Sequence, residues 1–429
     1  MQVTGMFRRW MTVMVVALVV GSYASTARAD IVIGEKDGWN ANFNGFLNLF
    51  LVDTFGQAAP TAPHALDVWS APTDNNVFRV RTGFLPAVFG FNANAPEWQG
   101  IKTALRVGLY VQLNNINTRT TPTGSYENTP LIDWREFNIT MSGKFGEVLV
   151  GRTLNLYQSD SILGDISLFG VGIPGQIIVP GVNLGGWPTL GHIGFGYLYS
   201  AFGAQFRYTT PDLSGFKLAI AVGDPSKITG GASANITSIP LFEATASYAN
   251  KWDNVSFKAW LGGIFNRAWF STAEGPTVTG TASGAVNGRG GSAGVDVGVS
   301  GFDLQASGFW ASGIGTYQQF DGGDSLDSSG APVTSAGYLL QATYQLDKTK
   351  LGVNYGQVMA DRTSLQQTTN APVIKNRQSI TAGVYHDLNK FVKLVGEYSW
   401  YQLNWYGTAV TSGASQSGNV LTGGLFFFW

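Results

Sequence analysis

Between residues 101 and 114 apolar and polar side chains alternate almost without a break. Ile101, Leu105, Val107, Leu109, Val111 and Leu113 share one parity; Lys102, Arg106, Tyr110, Gln112 and Asn114 share the other. A period of two marks a β-strand, whose successive side chains point to opposite faces. The pattern recurs along the chain. Phe78 and Val80 alternate with Arg79 and Arg81, and Phe206 and Tyr208 with Gln205, Arg207 and Thr209. Phe216, Leu218, Ile220 and Val222 alternate with Lys217, and Val255, Phe257 and Leu261 with Ser256 and Lys258. Val295, Val297 and Val299 enclose Asp296, and Phe302 and Leu304 enclose Asp303. Val392, Leu394, Tyr398 and Trp400 alternate with Lys393, Glu397 and Ser399. Segments of about 10 such residues are long enough to cross a membrane at a tilt.

The connections alternate too. Short polar turns fall at 142–146, 211–215, 251–254, 347–350 and 388–390. Long stretches rich in Gly, Ser, Thr and Pro fall at 54–76, 115–130, 154–190, 224–240, 266–290, 313–334, 361–376 and 406–418. Short turns at one end and long loops at the other are the layout of an up-and-down membrane barrel. Eight long loops imply eight hairpins, hence an all-β fold of about 16 antiparallel strands, an even number as such barrels require. The last residues, Leu425-Phe426-Phe427-Phe428-Trp429, form a strand ending on an aromatic. Counting back by twos from Trp429 gives Phe427, Leu425, Gly423 and Leu421, a mostly apolar face. In water such an edge would invite aggregation; against lipid it is at home.

The N-terminus agrees. Arg8 and Arg9 precede an apolar run from Trp10 to Val20, which closes at Ala27-Arg28-Ala29 before Asp30. These are the parts of a secretory signal peptide, and the run is too short for a membrane-spanning helix of about 20 residues. The expected organisation is a leader at 1–29 and a single barrel domain at 30–429.

Composition narrows the function. Charged residues make up 12% of the chain, aromatics 13%, and there are 56 glycines. A soluble domain would carry about a quarter charged residues. Without Cys there is no disulfide or thiol chemistry, and a formal net charge of −1 points away from nucleic acid. His64, His192 and His386 stand apart, with no serine elbow, metal-spaced histidine pair or dense acid cluster beside them. No catalytic, metal or cofactor site is therefore expected.

Residues 131–170 read LIDWREFNITMSGKFGEVLVGRTLNLYQSDSILGDISLFG. This segment resembles the Gram-negative trimeric porins, in which an arginine-bearing strand leads through a Gly-x-Phe-Gly turn to a short strand ending in Gly-Arg. The matching positions are Arg135, Gly143-Lys144-Phe145-Gly146 and Gly151-Arg152. The resemblance implies an outer-membrane homotrimer of 16-stranded barrels, each with a long third loop, here about 153–190, folded into the lumen. It also implies a constriction where loop acids, Asp160 and Asp165, face wall arginines, and a C-terminal Trp429 read by the barrel-assembly machinery.

Alternation assigns the wall side chains directly. A charge facing lipid costs a few kcal/mol, so Arg79, Arg81, Lys102 and Arg106 should face the lumen as a basic ladder. Arg135 shares parity with Phe137, Ile139 and Met141, whereas Glu136, Asn138 and Thr140 read inward. Either a bulge near Glu136 shifts the register or Arg135 sits at the water interface. Arg152 follows Gly151, where a bulge is easy, so both directions stay open. The expected function is a water-filled channel for small hydrophilic solutes and ions, weakly anion-preferring, among outer-membrane lipid and lipopolysaccharide. Two alternatives share the fold: a channel selective for sugars or organic acids, and a surface anchor or adhesin barrel.

Overall fold

The computed structural model describes residues 30–57, 76–113, 131–174, 189–271, 284–320, 325–407 and 413–429. The expected leader and the middle of several loops, with His64, lie outside them. Among the described residues sixteen staves form the barrel. They are Trp39–Gly56, Asn76–Arg81 continued by Ala87–Asn94, Lys102–Gln112, Leu131–Gly143, Gly146–Leu154, Phe202–Thr209, Phe216–Gly223, Leu241–Trp252, Val255–Phe270, Ala285–Val299, Phe302–Ser312, Thr334–Leu346, Thr349–Asp361, Ile374–Asp387, Val392–Trp405 and Ser415–Phe428. Each pairs antiparallel with the next. The last closes on the first, from Phe46 opposite Phe428 to Gly56 opposite Gly418. Closure leaves no stave with an unpaired edge in lipid.

Alternation holds as the sequence requires. Leu47, Leu49 and Leu51 are exposed on the outside while Phe46, Asn48 and Phe50 are buried inside. Phe216, Leu218, Ile220 and Val222 face out in the same way. Trp429 closes the chain against Gly45 by two backbone hydrogen bonds, 3.0 and 3.1 Å. Its ring lies 5.6 Å from Phe43 and 5.5 Å from Phe89, an aromatic group at the short-turn end.

Several boundaries differ from the sequence reading. The Val255–Phe270 and Ala285–Val299 staves extend well into the stretch read as loop 266–290. Cross-strand pairing, not glycine content, decides there: Gly288, Gly290 and Gly291 all sit in the ladder. A tight turn also falls between Val299 and Phe302, with Ser300 at φ 50° and Gly301 at φ 89°, outside the short turns the sequence pattern marks. The loop 224–240 carries its own small hairpin, Ile228–Thr229 with Ser233–Ile236, and the latter strand pairs onto Val255–Phe270.

The second stave is broken. Asn76–Arg81 pairs with the upper part of the first stave and Ala87–Asn94 with its lower part, so residues 82–86 leave the ladder. Pro86 supplies no N–H, which confines it to such a break. Asn48 repairs the gap from inside: its side chain accepts from Gly83 N at 2.7 Å and donates to Leu85 O at 2.7 Å.

Candidate functional site

The loop that follows Gly146–Leu154 turns into the barrel. It contains a short helix, Ser159–Gly164, and a single 3-10 turn, Ile166–Phe169. Three buried carboxylates hold it. Glu243 accepts from Leu156 N (3.0 Å) and Tyr157 N (3.2 Å). Glu397 accepts from Val171 N (2.7 Å) and Gly172 N (3.0 Å), and from the Tyr385 hydroxyl at 2.5 Å. Asp165 accepts from Ser167 N and Oγ, His192 N, the Tyr197 hydroxyl and Asn354 Nδ2, at 2.6–3.2 Å. His192 Nδ1 lies 3.3 Å from the same carboxylate. Gln341 clasps the loop from the wall, accepting from Ile166 N (2.7 Å) and donating to Gly164 O (2.9 Å). Finally Phe84 N, at the broken stave, donates to Gly170 O at 2.8 Å.

These contacts run in order round the inner wall, from Leu241–Trp252 to the gap at 82–86. Apolar packing fills the same arc. Ile162, Ile166, Leu168 and Val171 of the loop pack with Phe46, Phe50, Tyr401, Phe426 and Phe428 of the wall. Phe169 meets Phe426 edge-on at 5.7 Å. The final strand is therefore apolar on both faces, Leu425 and Phe427 to the outside and Phe426 and Phe428 to the loop. Close approach demands glycine at Gly170, where a Cβ would fall 2.0 Å from Glu397 Oε1, and at Gly352, where it would meet Ile166 Cδ1 at 2.0 Å.

Burial alone would raise the Asp165 carboxyl. The neighbouring His192 and the hydrogen bonds from His192, Tyr197 and Ser167 outweigh it and hold the group below the usual carboxylate range. Burial first, and the Asp165 charge second, push the Tyr197 hydroxyl well up.

The residues singled out in the sequence fall into three groups. Arg79, Arg81, Lys102 and Arg106 all face inward, opposite in parity to outward Phe78, Val80 and Val107. Arg106 is pinned, its guanidinium donating to Glu136 (3.1 Å), Asn44 (2.7 Å) and Asn92 (3.2 Å). Arg135 faces inward because Gly108 pairs with Glu136 and Leu109 with Trp134, which leaves Arg135 as the extra residue of a bulge. Its guanidinium sits over Tyr110 at 5.1 Å and Phe202 at 5.5 Å and bonds to Asp133 at 2.8 Å. Of the two alternatives for Arg135, the bulge is the one present.

Two expectations need correcting. Arg152 stands opposite outward Phe137 and is exposed, so it belongs to the outer face near the long-loop end, not to the lumen. Gly151, at φ 131°, bends the backbone without shifting its register. Asp165 is 2% exposed and spends its charge inside the loop, so it does not line a passage. Asp160 does stand on the loop, bonded at 2.7 Å to Lys258 of the wall. Sequence reasoning does not find the roles of Glu243 and Glu397, because the loop N–H groups they accept from lie 86 to 226 residues away in the chain and leave no local signal.

A closed barrel with an apolar outer band and a loop docked inside defines an outer-membrane channel protein. The sequence pattern of Gram-negative porins matches residues 13–404, and the chain belongs to that family. No curated protein matches it significantly. Similar solved folds include the outer membrane channel DcaP of Acinetobacter baumannii, at 15% identity over 93% of this chain and 100% of that one, TM-score 0.64. Others are OmpF of Salmonella typhi in complex with daunomycin (12%, 93% and 100%, TM-score 0.54) and an anion-selective porin of Comamonas acidovorans (14%, 91% and 100%, TM-score 0.53). The protein is thus an outer-membrane porin, a channel for diffusion.

Proposed function

We propose that this porin passes small hydrophilic solutes and ions without a dedicated binding step, with a weak preference for anions. The carrying observation is the unequal fate of its charges. The inward cations Lys102 and Arg106 stand on a stave outside the arc that the loop covers, while the loop acids are engaged, Asp160 by Lys258 and Asp165 by buried donors. The preference is weak because Arg106 is itself paired with Glu136, and Lys393 with Asp387 at 2.5 Å. Fixed charge of one sign in a low-dielectric passage selects permeants by sign. In proteoliposome swelling, small neutral sugars and small carboxylates should enter, with carboxylates ahead of amines of equal size. Exclusion of every small solute would overturn the reading.

The proposal includes the rest of the organisation: a leader at 1–29, one barrel domain at 30–429, Trp429 as the signal for the barrel-assembly machinery, and lipopolysaccharide around the outer rim. The protein assembles as a homotrimer through the outward face that includes Leu47, Leu49 and Leu51, the last of them 55% exposed in a single chain. Phe43 continues this face toward the short turns, its ring tilted against Phe91 (5.1 Å) and Trp429 (5.6 Å). Cross-linking in intact outer membranes should capture three subunits, and Leu49→Arg with Leu51→Arg should leave monomers. A monomeric mass for the wild type in mild detergent would contradict the assembly.

A further inference from the structure

The outer wall carries a groove of about 630 Å³ across its last six staves. Two adjacent rungs of the ladder build it. One runs Phe302, Tyr344, Leu351, Val384, Gly396 and Gly423, the other from Ala342 through Ala382 to Tyr398 and Leu421. The floor is small: a Cβ on Gly396 would have only Thr422 O for company, at 3.9 Å, and one on Gly423 nothing within 4 Å. Large rings bound it, with Phe302 and Tyr344 in contact at a 35° tilt, centroids 4.3 Å apart, at one end and Tyr398 toward the other. Staves lie about 4.8 Å apart, so five spacings give a slot roughly 24 Å long. A recess of that length, lined by outward side chains, has the shape of an extended acyl chain.

The groove lies in the half of the wall next to the short turns. Two of those turns stand side by side, since Asp387 N donates to Lys348 O at 2.9 Å. They carry Lys348 and Lys390, both exposed, the latter also over the Phe391 ring at 4.7 Å. Of the acids beside them, Asp387 is bonded to Lys393 and Asp347 is exposed; His386 is bonded to Thr349 at 2.9 Å. The foot of the groove thus keeps an excess of positive charge where phosphate lies in a membrane.

We propose that this groove binds one phospholipid of the periplasmic leaflet with an anionic headgroup, its acyl chain over Gly396 and Ala382 and its phosphate at Lys348 and Lys390. The test uses the full-length porin in nanodiscs of phosphatidylethanolamine with and without phosphatidylglycerol, followed by native mass spectrometry after mild detergent stripping. The wild type should retain one phosphatidylglycerol per subunit. Gly396→Leu with Ala382→Leu should lose that copy, with conductance and oligomer mass unchanged. Lys348→Gln with Lys390→Gln should keep a lipid but lose the preference for phosphatidylglycerol. Equal retention in the groove-filled variant would overturn the proposal, and so would loss of oligomer in place of lipid, which would make this face a subunit contact.

Discussion

Replacing Asp165 by Asn should unlock the loop's own fold, and with it the loop's seat against Asn354 of the wall, while the barrel stays folded. The buried carboxylate accepts from five donors on Ser167, His192, Tyr197 and Asn354. An amide can accept at only one atom, and its own NH2 group would face those donors. Leaving buried donors unmatched costs about 3 kcal/mol, roughly a 100-fold shift from docked to undocked loop. Single-channel records of the variant should show larger and noisier currents than the wild type at neutral pH, with an unchanged barrel melting transition.

The pH dependence follows from the sign of the shift. Asp165 is held below its ordinary range, so the stability it contributes is present in full above the unfolded-state value. That contribution disappears only as pH falls through the depressed value. Wild type and Asp165→Asn should therefore differ at pH 7 and at pH 5 and converge below the ordinary aspartate range. Identical records at neutral pH would show that Glu243, Glu397 and the apolar packing suffice to seat the loop.

The second large effect is on selectivity. Arg79→Gln, Arg81→Gln and Arg106→Gln together should move the reversal potential toward cations. A unit charge about 4 Å from a permeant ion is worth about 1 kcal/mol even at the dielectric constant of water, a factor of about 5 in permeability ratio. Three such charges need not act at one depth, so a several-fold change is expected and not the product of three. Glu136, left without Arg106, adds to the change in the same direction. The effect should shrink as salt is raised from 0.1 M to 1 M, where the screening length falls from about 10 Å to about 3 Å. An unchanged reversal potential would place the narrowest point away from this wall.

Much of the barrel was legible because its solvent is divided. Lipid outside and water or loop inside impose a strict period of two, and Phe78-Arg79-Val80-Arg81 or Phe216-Lys217-Leu218 records it without help from distant residues. What broke the period could not be read locally. The bulge at Arg135 inserts one residue, and parity counted from either side of it disagrees. Phe84 and Leu85 continue an apolar run, so the break at 82–86 was hidden although Pro86 hinted at it. The loop's docking was hardest. Phe426 and Phe428 look like any lipid-facing aromatics, and only the folded loop explains why the opposite parity is apolar as well. Glu243 and Glu397 are single inward acids whose purpose depends on backbone N–H groups of a segment far away in sequence, and Asn354 is a single inward amide that donates to Asp165 of the same segment.

The most direct test of the channel assignment is single-channel recording of the purified wild-type protein in a planar bilayer under a tenfold potassium chloride gradient. A finite, near-ohmic conductance with a small reversal potential on the chloride side is the expected result. A wild-type pore that reverses on the potassium side would contradict the anion preference, and a bilayer that stays silent with folded protein present would contradict the diffusion channel itself.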